Sequence, residues 1–227
     1  LFSGRTEQIV IGASKYNGST YQFGNVPLEI AAIGLIQGVP DPSIVTKNLQ
    51  SKARSTSILN LGDSRTYVNT YDGSLQEVNL RGAHFYVNAN VGEGVSQCSA
   101  RIAGSLGYFY DKALVLIGVN DTGLTGQQKY DGIFPALRDA VDNGTIGHVY
   151  ICNEVPDNIY NASQKAEHKN YRDRINEGFG AVNWATVIDT WSAMQDPTDE
   201  DVLLAENTSD GRHWNATGYS VAMPVIA

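Results

Sequence analysis

The chain has 227 residues, 42% of them hydrophobic and 18% charged, with a formal net charge of -8. That length can bury a sizeable core as one domain or as one domain with an appendage. The acidic balance, without any basic run, argues against a nucleic-acid or anionic-membrane partner, and no apolar run approaches the roughly 18 residues of a membrane span.

Residues 1–55 read as a small β-rich appendage without a chemical motif. Glu7–Gly12 alternates loosely. Tyr16-Asn17-Gly18-Ser19 is a turn and Thr20–Phe23 a returning strand, which predicts a hairpin. Leu28–Ile36 is apolar and open between strand and helix, and Gly38-Val39-Pro40-Asp41-Pro42 breaks it. From Ser57 the rhythm changes. Short apolar runs at Ile58–Leu61, His84–Asn88, Ala113–Ile117, His148–Cys152 and Trp184–Ile188 predict strands. Between them, Ser96–Leu106, Gly126–Val141 and Gln164–Phe179 predict helices; Ile133, Leu137 and Val141 repeat at spacings of four. The third helix is strongly polar on one face. Ser74–Leu80, after a turn at Tyr71-Asp72-Gly73, has room for two helical turns. Residues from Met194 read as an acidic loop, and a last helix starts near Asn215–Thr217. This alternation predicts an α/β domain over 56–227, a parallel sheet with helices on both faces.

Cys98 and Cys152 are the only cysteines. They read as buried free thiols, a single disulfide being the alternative. Asn-x-Ser/Thr sequons, among them those that begin at Asn17, Asn143, Asn161, Asn207 and Asn215, are a weak sign of a secreted glycoprotein. A glycan on Asn215 would crowd His213, which favours an unglycosylated source. The ends of the chain are abrupt, as expected of a processed form or a piece of a longer protein.

Four stretches carry chemistry. Ile58-Leu59-Asn60-Leu61 runs into Gly62-Asp63-Ser64, a buried strand ending in a tight turn with a hydroxyl at its tip, where open α/β sheets place ligands. After the second strand, Gly92-Glu93-Gly94-Val95-Ser96 exposes backbone N–H groups at a strand-to-helix turn. After the third, Gly118-Val119-Asn120-Asp121 puts an amide donor beyond the strand end. Near the end, Asp210-Gly211-Arg212-His213 places a carboxylate within reach of one imidazole nitrogen, leaving the other to face a nucleophile. Taken singly, each stretch has a bland reading as a loop or a cap. His84, His148 and His168 lack such a partner and read as structural, His168 on the polar face of its helix.

In this order the four stretches resemble the SGNH hydrolase superfamily, the GDSL esterases and lipases. The resemblance covers Ser57 to Met223. It implies a three-layer α/β/α sandwich around a five-stranded parallel sheet of flavodoxin-like order. It makes Ser64 the nucleophile and a backbone oxyanion donor, His213 the general base and Asp210 its orienting partner. Asn120 becomes a side-chain oxyanion donor and Gly94 the backbone donor, with Gly92 as the second choice. Asp63 drops to a structural role in the turn. Arg65, where the family has small or aliphatic residues, and the short link behind it bear on the substrate pocket.

The family implies ester substrates, without cofactor or metal. No segment looks like a lipid-site lid. The acidic charge, 12 tyrosines and Trp214 beside His213 suggest a shallow, sugar-compatible surface. Carbohydrate O-deacetylation is therefore the leading reading. A general short-chain esterase or lipase comes next, and a non-catalytic glycan-binding module on the same fold is the rival. The appendage suits part of a larger assembly, such as a phage tail protein or a multidomain carbohydrate-active enzyme. That context favours an extracellular or virion-associated location.

Overall fold

The computed structural model describes residues 13–16, 20–23, 56–66, 84–104 and 109–226. The chain divides into two compact units, Leu1–Arg54 and Ser55–Ala227. In the first, β1 (Ala13–Tyr16) pairs antiparallel with β2 (Thr20–Phe23), Tyr16 opposite Thr20, which is the expected hairpin. The expectations for 7–12, 28–36 and 71–80 lie outside the described residues.

The second unit alternates strands and helices. In order they are β3 (Ser57–Gly62), β4 (His84–Ala89), α1 (Val95–Gly104), β5 (Lys112–Leu116), α2 (Gly126–Asp142), β6 (Val149–Cys152), α3 (Ala162–Gly180) and β7 (Ala185–Ile188). All five strands are parallel, in the order β4-β3-β5-β6-β7. This is the flavodoxin-like arrangement. Between β4 and β5 lies β3, the strand that ends at Gly62-Asp63-Ser64.

The strands are short and apolar because both faces are covered. Along β5 the side chains alternate. Ala113 and Val115 join one core with Ile133 and Leu137 of α2 and Tyr171, Ile175 and Phe179 of α3. Leu114 and Leu116 join a second core on the opposite face with Met194, Leu203, Trp214, Tyr219 and Ala222. Two cores separated by one sheet make three layers.

Capping fixes the two long helices. Thr125 begins α2 and Asn161 begins α3, each in a reciprocal capping box with the glutamine three residues on. Two expectations fail here. His168 does not lie on a polar face: it is buried with Tyr171, Ile175 and Phe179, a stripe at helical spacing. The polar residues that dominate α3 hide this stripe from a reading of average polarity. Residues after β7 are not simply loop either. A short helix, α4 (Thr190–Met194), leads into a hairpin of β8 (Gln195–Asp196) and β9 (Asp199–Leu203), then a 3-10 turn and α5 (Ala216–Ile226). The acidic residues that suggested a loop sit largely on the exposed ribbon, while Leu203 at its end is buried.

Cys98 and Cys152 are free and buried, and burial pushes both thiols up to about 12. Asn207 is buried, and Asn215 donates to Glu206 O while its own Oδ1 accepts from Gly218 N–H. Both sequon side chains are committed to the fold.

Candidate active site

Strand register brings the motifs to one edge. Gly62 lies opposite Ala89 on one side and Leu116 on the other. Ser64, the 90–94 turn and the 117–121 turn therefore leave the sheet at one level. Gly62 admits no side chain, since a Cβ there would fall 2.5 Å from the carbonyl oxygen of Leu116. Asp63 to Thr66 closes as a turn, with Thr66 N–H donating to Asp63 O at 3.1 Å.

Ser64 Oγ lies 2.9 Å from His213 Nε2, and His213 Nδ1 lies 2.6 Å from Asp210 Oδ2. Asp210 Oδ1 also accepts from the backbone N–H of His213 at 2.8 Å and of Arg212 at 3.0 Å. Partial burial works to raise the Asp210 carboxyl, but the hydrogen bonds from His213 and Arg212 outweigh it and hold it down to about 2. An ionised Asp210 can only accept, so Nδ1 carries the proton and Nε2 is left to accept from the Ser64 hydroxyl.

The loop carrying this pair is braced. Gly211 has φ 89°, a left-handed conformation suited to glycine. Its carbonyl accepts from Asn158 N–H at 2.9 Å, and Thr208 Oγ donates to His213 O at 2.8 Å. Arg212 Nε donates to Asp157 Oδ2 at 2.6 Å, and its guanidinium lies 5.2 Å from the Tyr160 ring centroid. Arg212 thus anchors the loop between Asp210 and His213.

The second and third motifs hold one another. Asn120 Nδ2 donates to Glu93 O at 2.9 Å, and Asp121 Oδ2 accepts from Val95 N–H at 3.0 Å, at the start of α1. Asn90 N–H donates to Gly62 O at 3.3 Å, as does Arg101 Nη2 at 3.1 Å, and Arg101 pairs with Glu93. Gly94 is buried with the Asp121 carboxylate where a Cβ would go; its N–H donates to Gln97 Oε1 at 3.2 Å. Gly92 is exposed and has φ 80°.

Arg65 does not face a pocket. Its side chain is fully buried between Asp63 and Glu154. Nε and Nη2 donate to the two oxygens of Asp63 at 3.0 and 2.7 Å, and Nη1 and Nη2 to those of Glu154 at 2.6 and 3.1 Å. Burial works to lower the guanidinium, yet the two carboxylates hold it well above its ordinary value. Glu154 has φ 72°, a left-handed conformation uncommon outside glycine. Such strain costs about 1–3 kcal/mol and persists where the surroundings over-determine it. The Arg65 carbonyl accepts from Tyr219 Oη on α5 at 2.7 Å. Nothing near Gly-Asp-Ser in sequence points to Glu154 or Tyr219, so both escaped the reading of the chain.

Trp214 fails as a sugar platform. It is 2% exposed and packs edge-on against Tyr219 at 5.3 Å in the second core. His148 Nε2 lies 2.9 Å from Thr186 Oγ1 on the neighbouring strand, and His168 Nε2 donates to Val155 O at 2.9 Å. Both are structural.

No family model matches the chain, and no curated protein matches it by sequence. Solved structures do. A Bacteroides fragilis protein inferred to be an acylhydrolase superposes at TM-score 0.61 with 17% identity, over 82% of this chain and 95% of its own. A member of the lipolytic G-D-S-L family from Veillonella parvula gives TM-score 0.61 at 17% identity, over 75% of this chain and 95% of its own. An acetyl esterase variant solved with an acetate ion gives TM-score 0.56 at 16% identity, over 75% and 94%. At such identities the likeness is one of architecture: the chain has the three-layer α/β/α fold of the SGNH, or GDSL, hydrolases.

Proposed function

We propose that this protein is a serine esterase that releases short acyl groups, chiefly acetyl, through an acyl-enzyme. The observation that carries this reading is the continuous relay from Ser64 Oγ through the His213 ring to the Asp210 carboxylate, at 2.9 and 2.6 Å. His213 takes the Ser64 proton as Oγ attacks the ester carbonyl. His213 then protonates the leaving alcohol, and water resolves the acyl-enzyme by the same route. Ser64 N–H and Asn120 Nδ2 hold the oxyanion. Gly94 N–H joins them when Gln97 swings aside, with Gly92 N–H as the second choice.

A short acyl group suits the polar flanks that the motifs supply, with Asn90, Glu93 and Asn120 on the turns at the sheet edge of Ser64 and Asp210 on the loop of His213. Carbohydrate O-deacetylation is the substrate class we propose. It rests on these polar flanks, since Trp214 is buried. The acetyl esterase among the similar structures is consistent with it.

Turnover of p-nitrophenyl acetate, butyrate and octanoate tests the acyl preference, and acetate release from acetylated glycans tests the alcohol side. Fastest turnover on acetate is expected, and a fluorophosphonate should label Ser64. Undiminished turnover in Ser64→Ala would falsify the proposal. Glycan binding without labelling or turnover would favour a binding module instead.

A further inference from the structure

Three consecutive carbonyls, those of Ile117, Gly118 and Val119, lead from the end of β5 to Asn120. Each accepts from a side chain belonging to another segment. Tyr171 Oη on α3 donates to Ile117 O at 3.2 Å, Lys129 Nζ on α2 to Gly118 O at 3.1 Å, and Tyr160 Oη to Val119 O. All three donors are buried.

Lys129 is the unexpected member. It is 1% exposed, with Nζ 5.7 and 5.8 Å from the ring centroids of Tyr160 and Tyr171. It continues the apolar stripe of Ile133 and Leu137 toward the start of α2, where an apolar side chain would serve the core. Burying an ammonium is costly unless its surroundings compensate the charge. Here its hydrogen bond goes to a neutral carbonyl, while Glu154, Asp121 and Asp157 act on it through space.

The segment it grips has unusual geometry. Gly118 has φ 130°, and a Cβ there would lie 2.5 Å from Tyr171 Cε1. The chain leaves β5 in a conformation reserved for glycine, held by donors on one flank. On the other flank, Asn120 Nδ2 gives one of its two N–H bonds to Glu93 O. The second N–H is the one an oxyanion would receive. Such a donor is effective only when its place is set before the reaction.

We propose that Lys129, with Tyr160 and Tyr171, is a positioning residue that clamps the 117–119 backbone and so aims the Asn120 amide at the oxyanion formed on Ser64. This rests on the esterase reading above. The test is a double-mutant cycle of Lys129→Met and Asn120→Ala, with kcat and KM on p-nitrophenyl acetate. A misaimed donor forfeits part of its effect, so Lys129→Met should lower kcat about 10- to 100-fold at constant KM. In the Asn120→Ala background the same change should cost less than about twofold, because the group it acts through is gone. Equal fold-losses in the two backgrounds overturn the proposal, as does an undiminished kcat in Lys129→Met. Should Lys129→Met fail to melt cooperatively, Tyr160→Phe, which removes a single hydroxyl, takes its place in the cycle. Full turnover in Ser64→Ala sinks the esterase reading itself, so the two failures are distinguishable.

Discussion

Two charged clusters flank Ser64, and they are opposites. Behind it, the side chains of Asp63, Arg65 and Glu154 are 0% exposed. In front of it, those of His213 and Asp210 are 26% and 47% exposed. The rear cluster is a saturated lattice of charge-assisted bonds with no route to water. The front pair meets solvent, so its proton can leave and return. The contrast separates two tasks. Fixed charge locates Ser64, and on the proposed esterase reading movable charge operates it. It also separates two energetic regimes. Breaking a buried pair strands a charge, whereas an exposed pair adds little to stability.

The largest effect expected from breaking either side is on the front. Ser64→Ala should lower kcat on the order of 10⁶-fold while leaving the thermal melt unchanged. Asp210→Asn comes next, with a loss of about 10⁴-fold in kcat, since the histidine then takes the wrong tautomer. Its melting temperature should shift little. The rear cluster should show the reverse pattern. Arg65→Met should cost about 3–5 kcal/mol of stability in denaturant titrations, because two carboxylates are left unpaired. A comparable loss from Asp210→Asn would erase the distinction. Asn120→Ala should lower kcat by about 10²–10³-fold, with a stability loss of about 1 kcal/mol from the bond it gives to Glu93 O.

The smallest effect expected is acid sensitivity of the front pair. Asp210 has its folded value depressed from 3.8 to about 2, so its contribution is present above 3.8 and fades as pH falls toward 2. The stability difference between wild type and Asp210→Asn, followed by denaturant titration, should shrink over that interval. Above it Asp210 stays ionised, so any loss of activity near neutral pH belongs to another group.

The front cluster was legible in the chain because its pieces are local. Asp210 and His213 are three residues apart, and Gly62 to Ser64 are contiguous. The strands were legible as short apolar runs, to within one or two residues of their ends. The rear cluster was not, because Glu154 lies 89 residues from Arg65 and no local pattern joins them. Arg65 was therefore assigned to the pocket. Lys129 was visible in principle. It stands four residues before Ile133 on the same stripe, but a lysine does not register as part of an apolar repeat. His168 escaped in the same way. The β8–β9 ribbon was lost because its run of acidic residues gives no alternation of apolar and polar side chains.

The hydrogen bond from Tyr219 to the carbonyl of Arg65 bears on when the site comes into being. It joins residues 154 apart, and the bond from Ser64 to His213 joins residues 149 apart. A ribosome makes the first partner of each bond long before the second. The nascent chain can build β3 to β7 and bury its first core while Ser64 remains an ordinary hydroxyl in a half-covered turn. On the esterase reading, catalytic competence then arrives late, when α5 docks and completes the second core.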